Sequence, residues 1–317
     1  MSSALPLQLP VLHTLSALTL TGVDAHTYLQ GQLSNDLRKL NSAQALLASC
    51  NSAQGRVQAV LTLIERPIAE GKQIIALLPP TMRGRIVPRL KNYILRAKVQ
   101  LLDDPSLWSI APLSATHAKA LFQDLPAQPG AVLHLDNLTL MRWWSQDERY
   151  LLLAPATAIH AQETHDNPDG SEVCLLWRQA DIAAGLPQVF PETYESFVAQ
   201  MLNLDALNGI SFNKGCYTGQ EIIARTHYRG TIKRRMLRYR ADCAAPVPGT
   251  RIVSGDHPAG EVVDSVDHAT GCELLAVMSL DQANQPLRLD GVEHASLQAL
   301  TLPYDLPSKA TAEAASS

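Results

Sequence analysis

The chain has 317 residues, 46% of them hydrophobic and 18% charged, with a formal net charge of −4. That length exceeds one average core, and the composition is that of a folded globular protein, which excludes broad disorder. The small negative charge excludes a global pull toward nucleic acid or an anionic membrane, so any anion site has to be local.

From the N-terminus, "MSSALPLQLP" has neither a basic region nor a long apolar one, so no secretory signal is expected. No run reaches the ~20 apolar residues that span a bilayer, so no membrane role is expected. "ALTLTG" (17–22) alternates apolar with small polar residues and ends in glycine, as a strand entering a turn does. "VDAHTYLQGQL" (23–33) follows as a helix with Asp24 as its N-cap. "VQAVLTLI" (57–64) and "QIIALL" (73–78) read as two strands joined around Pro67–Gly71. "TMRGRIVPRLKNYIL" (81–95) has the spacing of an exposed amphipathic helix, with Pro88 predicting a break or a helix start inside it. "LTLMRWW" (138–144) and "RYLLLAP" (149–155) form a hairpin pattern across "SQDE".

After Arg240 the texture changes. From 244 to 304 the segments are short and broken by Gly, Pro and Asp, which suggests a small β-barrel or sandwich. The expected division is residues 1–240, then a β-barrel over 241–305, then a disordered tail over 306–317.

The five cysteines, Cys50, Cys174, Cys216, Cys243 and Cys272, are odd in number and scattered, without CxxC or zinc spacing. Free thiols in a reducing compartment, the cytoplasm, are expected, and no intrinsic metal. Cys216 lies in "SFNKGCYTGQEIIAR" (211–225). Thr218 and Glu221 have the spacing of a capping box, which would start a helix just after Cys216. The helix end and Lys214 would then both favour the Cys216 thiolate. The alternative is a tight turn in which Cys216 is merely small. Downstream, Arg225, Arg229, Lys233, Arg234, Arg235, Arg238 and Arg240 concentrate positive charge within 225–240. That run is either a solvated face or a site for an acidic ligand such as a polyglutamate tail, and direct nucleic-acid binding stays open.

"KGCYTGQEIIAR" (214–225), with "YRG" (228–230) and "KRR" (233–235), resembles the signature of the YgfZ-type folate-binding proteins, relatives of the glycine cleavage T-protein, an aminomethyltransferase. "TGVDAHTYLQGQLSNDL" (21–37), "DIAAGLP" (181–187), "NLDALNGISF" (203–212) and "LPYDLP" (302–307) agree in order and spacing, so the resemblance covers almost the whole chain. It implies an α+β fold, a three-domain cloverleaf of two intertwined α+β domains and a C-terminal β-barrel. It implies tetrahydrofolate or a derivative as ligand and iron–sulfur client or assembly proteins as partners, including enzymes that modify tRNA. Carried onto this chain, the motif cysteine is Cys216, surrounded by Lys214, Gly215, Tyr217, Gly219, Gln220, Glu221, Arg225 and Arg229, with Trp177 as the aromatic candidate for stacking on folate.

Two departures from the transferase pattern bear on activity. The transferase's "GGILDD"-like turn supplies an aspartate, whereas "QGRVQAV" (54–60) has Gln58 and Ala59, and an amide cannot take a proton as a carboxylate does. The transferase's "E-A-G" glutamate is Ala183 in "IAAG". The expected function is therefore a folate-binding accessory protein for iron–sulfur enzymes. The alternatives are a folate-dependent one-carbon transferase, and a protein that binds tRNA or an acidic partner through 225–240.

Overall fold

The computed structural model describes residues 7–161, 171–230, 232–292 and 295–307. The tail expected over 306–317 lies outside the described residues from 308 onward. In chain order the first elements are β1 (Leu7–Leu9), β2 (Ser16–Thr21), α1 (Ala25–Gln30), β3 (Leu46–Asn51), β4 (Val57–Ile68), β5 (Gly71–Leu78) and α2 (Arg83–Lys91). Next come β6 (Gln100–Leu102), β7 (Trp108–Ser114), α3 (Ala115–Leu121), β8 (Val132–Leu135), β9 (Leu138–Arg142), β10 (Arg149–Pro155) and β11 (Ile159–Ala161). The rest are α4 (Glu172–Ala183), α5 (Gln220–Arg229), β12 (Arg234–Ala241), β13 (Arg251–Ser254), β14 (His257–His268), β15 (Gly271–Ser279), β16 (Arg288–Leu289) and β17 (Gln298–Leu300).

The chain forms two compact units, and its path alternates between them. One takes residues 1–29, 37–46 and 61–178; the other takes 30–36, 47–60 and 179–317. In the first unit, β4 from Leu61 onward pairs antiparallel with β5, β5 with β2, and β2 with β6. The β4–β5 hairpin is longer than the alternation predicts, because Ile68 pairs with Gly71 and the turn shrinks to two residues. Its apolar side chains from Leu61 to Ile64 and from Ile74 to Leu78 are almost wholly buried. A second antiparallel sheet has the order β7-β10-β9-β8, so the hairpin expected from 138–155 forms with Leu152 opposite Leu140. Ala111, Leu113, Phe122, Leu140, Tyr150 and Leu152 fill its core. The Ser114 hydroxyl accepts from the His117 N–H and starts α3, an N-cap of the usual kind.

Pro88 does not break α2, contrary to the sequence expectation. A proline inside a helix frees the carbonyl four residues earlier, here that of Gly84. Gly84 and Pro88 both lie on the exposed face, so the lost bond falls on the solvent side, while Ile86, Val87 and Leu90 bury the other face. Asp24, expected as the cap of the first helix, accepts with its carboxylate from the Lys98 N–H.

In the second unit, six strands in the order β16-β13-β14-β15-β12-β17 make one antiparallel sheet, curled into a half-barrel. Register shifts at Ile252/Val253 and Val262/Asp264 bend the strands, as bulges do. Gly260 lets β14 lie close on β15, since a Cβ there would stand 2.2 Å from the Met278 sulfur. The sheet takes in β12 from Arg234, ahead of the composition change near 240, because the basic residues of that strand have acidic partners elsewhere in the chain. Arg235, 3% exposed, holds Asp205 through both carboxylate oxygens at 2.6 and 2.9 Å and donates to the Gln200 carbonyl at 2.8 Å. Arg238 pairs with Glu273 on β15. On the same strand Tyr239 is buried, and burial pushes its phenol up to about 12.

Asp205→Asn should leave the Arg235 guanidinium buried without its counter-charge and lower stability by roughly 3–5 kcal/mol. Urea denaturation measures it. Pairing Arg235→Met with Asp205→Leu should restore much of that loss, whereas a single-variant loss below about 1 kcal/mol would mean the pair behaves as a solvated surface bridge.

Candidate functional site

The loop 213–219 alternates sharply in burial. Lys214 and Tyr217 are buried, while Asn213, Gly215 and Cys216 are exposed. Lys214 reaches inward, and its ammonium donates to the carbonyls of Gln30, Leu33 and Asn35 at 2.7, 2.7 and 2.8 Å. Gln30 ends α1, so one of these carbonyls belongs to a helix C-terminus, where a cation is favoured. The ammonium also stands 4.8 Å from the centre of the Tyr217 ring. Burial raises the Tyr217 phenol above its ordinary value, so the ring stays neutral. Lys214 was expected to support the Cys216 thiolate; its three N–H donors are instead directed at backbone oxygens.

The expected capping box does not form. The N-cap of α5 is Gly219, with φ +83° and no side-chain cap. Instead the Gln220 Oε1 accepts from the Tyr217 N–H at 3.2 Å. Gly219 is required at its place, since a Cβ would lie 2.5 Å from the Ser52 carbonyl and 2.9 Å from the Gly55 Cα. A Cβ on Gly55 would in turn meet that of Ile222 at 2.8 Å. The turn over residues 52–55 thus seats the start of α5. Glu221 lies exposed in the first turn of α5, where a carboxylate complements the helix dipole. Gly215 differs from Gly219: no atom lies within 4 Å of where its Cβ would be, and its φ is ordinary.

Cys216 is the exposed thiol among the five cysteines; Cys50, Cys174 and Cys272 are buried and Cys243 is half-buried. The Cys272 thiol is pushed up to about 12, mainly by burial, which makes it unreactive.

Residues 30–36 anchor the loop from beneath. The Ser34 hydroxyl donates to the Gly209 carbonyl at 2.6 Å and accepts from the Ser49 N–H. The Asn35 amide donates to the carbonyls of Leu47 and Asn208. Ser34 and Asn35 thus meet Asn208 and Gly209 here through backbone carbonyls.

The stretch that lacks the transferase aspartate has a carboxylate beside it after all. The Gln58 amide donates to Glu195 Oε1 at 2.7 Å, and its own oxygen faces the Cys50 sulfur at 3.8 Å. Residues 56–58 and 195–198 are zipped together: Val57 N–H donates to Phe197 O, Glu195 N–H to Val57 O, and the Arg56 guanidinium to Ser196 O. Nothing in the local sequence signals this partnership, because Glu195 is far from Gln58 along the chain.

Of the basic residues, Arg235 and Arg238 are held in the ion pairs described above, and Arg240 lies 3.5 Å from Asp242. Arg225 and Lys233 are exposed and Arg234 is half-buried; the Arg229 side chain lies outside the described structure. Near them, His227 stacks on Phe212 with centroids 3.7 Å apart, and the exposed Tyr228 meets both edge-on. Burial lowers the His227 pKa against an opposing pull from Asp205, so the ring stacks as a neutral group.

Trp177 belongs to the first unit and is buried there. Trp143 lies 5.2 Å from it, and the Arg149 guanidinium stands 4.6 Å from its ring centre. Its Nε1 has no hydrogen-bond partner among the described residues. The face covered by Arg149 is not free for the stacking that the resemblance implies. No group of three or more His, Cys, Asp or Glu side chains among the described residues is placed to hold a metal ion. None of their helices is long and apolar enough to cross a membrane.

No family model matches the chain. Among solved structures it resembles the glycine cleavage system aminomethyltransferase T from Bartonella henselae, with a TM-score of 0.63 at 13% identity, over 95% of this chain and 87% of that one. The protein therefore has the aminomethyltransferase T fold. Among curated proteins it is 35% identical over 253 residues to the tRNA-modifying protein YgfZ of Yersinia pseudotuberculosis serotype O:1b (strain IP 31758), spanning 78% of this chain and 74% of the relative. The protein of the same name from Enterobacter sp. (strain 638) is 35% identical over 252 residues, 78% of this chain and 76% of its own. The chain belongs to the YgfZ family.

Lys214→Met keeps most of the stem and strands two buried carbonyls and a partly buried one, so it should lower stability by roughly 3 kcal/mol. Cys216→Ser, at an exposed position, should stay within about 0.5 kcal/mol of the parent. Urea titration of both variants separates the scaffold of the loop from its reactive group. Equal stability of the two would refute the clamp.

Proposed function

We propose that this protein is a folate-binding accessory factor that supports synthesis or repair of iron–sulfur clusters in client enzymes, with Cys216 as its working thiol. The observation that carries the reading is the contrast within one loop: Lys214, Tyr217 and Gly219 serve the fold, while Cys216 is held out to solvent. A rigid loop with one exposed soft nucleophile suits a sulfur or iron donor, or a partner's thiol. One cysteine cannot retain a cluster unaided, so such a cluster would be shared or passed on. The relatives named tRNA-modifying proteins favour clients that act on tRNA. The free thiols favour a reducing, cytoplasmic setting.

Tetrahydrofolate or a derivative is the ligand that fold and family suggest. The residues present suit an N–H-rich ligand: the Glu195 carboxylate accepts N–H bonds beside Gln58, and Gly215 leaves its surroundings open. They do not suit aminomethyl transfer, because the Gln58 amide cannot accept a proton where the transferase pattern has an aspartate. A second reading, contact with tRNA or an acidic partner, is favoured by the exposed Arg225, Tyr228 and Lys233, not by Arg235 or Arg238, whose charges are neutralised.

Cys216 should be alkylated by iodoacetamide ahead of the other four cysteines, read by peptide mass spectrometry. Cells carrying Cys216→Ser in place of the parent should lose activity of an iron–sulfur tRNA-modifying enzyme although the variant stays folded. Full client activity with Cys216→Ser would sink the thiol role. Release of methylene-tetrahydrofolate from an aminomethyl donor would restore the transferase reading.

A further inference from the structure

Glu195 combines three features that the fold does not need together. Its φ is +61°, in the left-handed region where glycine is at ease and glutamate is strained. Its side chain is exposed, yet one carboxylate oxygen is fixed by the buried Gln58 amide at 2.7 Å. The other oxygen, Oε2, has no partner among the described residues. Its backbone N–H donates to the Val57 carbonyl, so main chain and side chain both tie it to the strand that carries Gln58.

A glycine would make the same backbone bond without strain, and a neutral glutamine could accept from Gln58 in the same way. What glutamate adds is a negative charge with an open oxygen, held by the residue that stands in the stretch where the transferase pattern has its aspartate. We propose that Glu195 is a ligand-binding residue: its open oxygen accepts an N–H of a bound reduced folate, and Gln58 positions it. The inference rests on the folate reading of the preceding section and deepens it by naming the carboxylate. The chemistry selects a ligand with N–H donors and disfavours an anionic group at this spot, so any polyglutamate tail would lie elsewhere. The role is recognition and orientation, and no proton transfer is assigned to it.

The test is isothermal titration of the full chain with tetrahydrofolate, alongside thermal unfolding. Glu195→Gln removes the charge but can still accept from Gln58, and should weaken binding about ten- to hundred-fold, as loss of a charge-assisted hydrogen bond does. Glu195→Gly relieves the left-handed strain but removes the acceptor of the buried Gln58 amide, and the two effects offset, so it should weaken binding at least as much while its melting temperature stays close to that of the parent. That opposition is what a purely structural glutamate would not produce. Binding equal to the parent in both variants overturns the inference and leaves the folate reading intact. A Glu195→Gly protein that melts well below the parent also overturns it, since the residue is then a structural tie. If the parent itself binds no tetrahydrofolate, the folate reading fails and the inference fails with it.

Discussion

The Lys214 ammonium, buried against three carbonyl oxygens, is the constraint on which the rest of the site depends. Taking an ammonium out of water is strongly unfavourable unless its donors are all met, so the backbone at Gln30, Leu33 and Asn35 must present three oxygens at once. That requirement fixes the bend after α1. It also fixes where Lys214 starts the loop, and with it the direction of the next residues. Tyr217 covers the ammonium from the side and Gly219 brings the chain against the turn at Ser52. Between those two buried points Cys216 has nowhere to go but outward. The exposure of the thiol is a consequence of the clamp.

Much of the architecture was legible in the sequence where local pattern and tertiary fate coincide. The strands around 57–78 and the hairpin across 138–155 are apolar enough to be buried whatever they pack against, and alternation alone finds them. Legibility stops where a residue answers to a distant partner. β12 reads as a charge run because its arginines are neutralised by Asp205 and Glu273, 30 and 35 residues away. Thr218 has the spacing of a capping residue, but the close approach of α5 to the Ser52 turn demands glycine at the cap. Pro88 has the mark of a helix breaker, yet the face it occupies is solvated. Glu195 carried no local signal at all.

The same distinction separates the two halves of the motif at 214–225. Lys214, Tyr217, Gly219 and Gln220 each have an identifiable partner within the second unit, and that explains why they stand where they do without any ligand. Resemblance alone would place all of them around a cofactor. Within residues 214–217, physical accounting leaves Gly215 and Cys216 as the positions with no structural reason for their identity: a side chain at 215 would meet no atom, and the Cys216 thiol lies at the surface. A residue type that the fold does not demand is where a functional demand can act.

The position of the transferase aspartate follows that logic in reverse. Gln58 is buried and its amide has a defined orientation, donating toward Glu195 and accepting toward Cys50. An aspartate in its place would be shorter, could not donate to Glu195, and would set two carboxylates side by side, raising the pKa of one of them. Glutamate at 195 and glutamine at 58 are therefore a matched pair: the charge sits on the partner with solvent access, and the neutral amide sits in the interior where a charge would be penalised. A carboxylate thus lies beside this turn, while the side chain in the stretch of the transferase aspartate is an amide, which cannot accept a proton as a carboxylate does. The carboxylate and the position that the transferase pattern gives it are thereby divided between two side chains within the same fold.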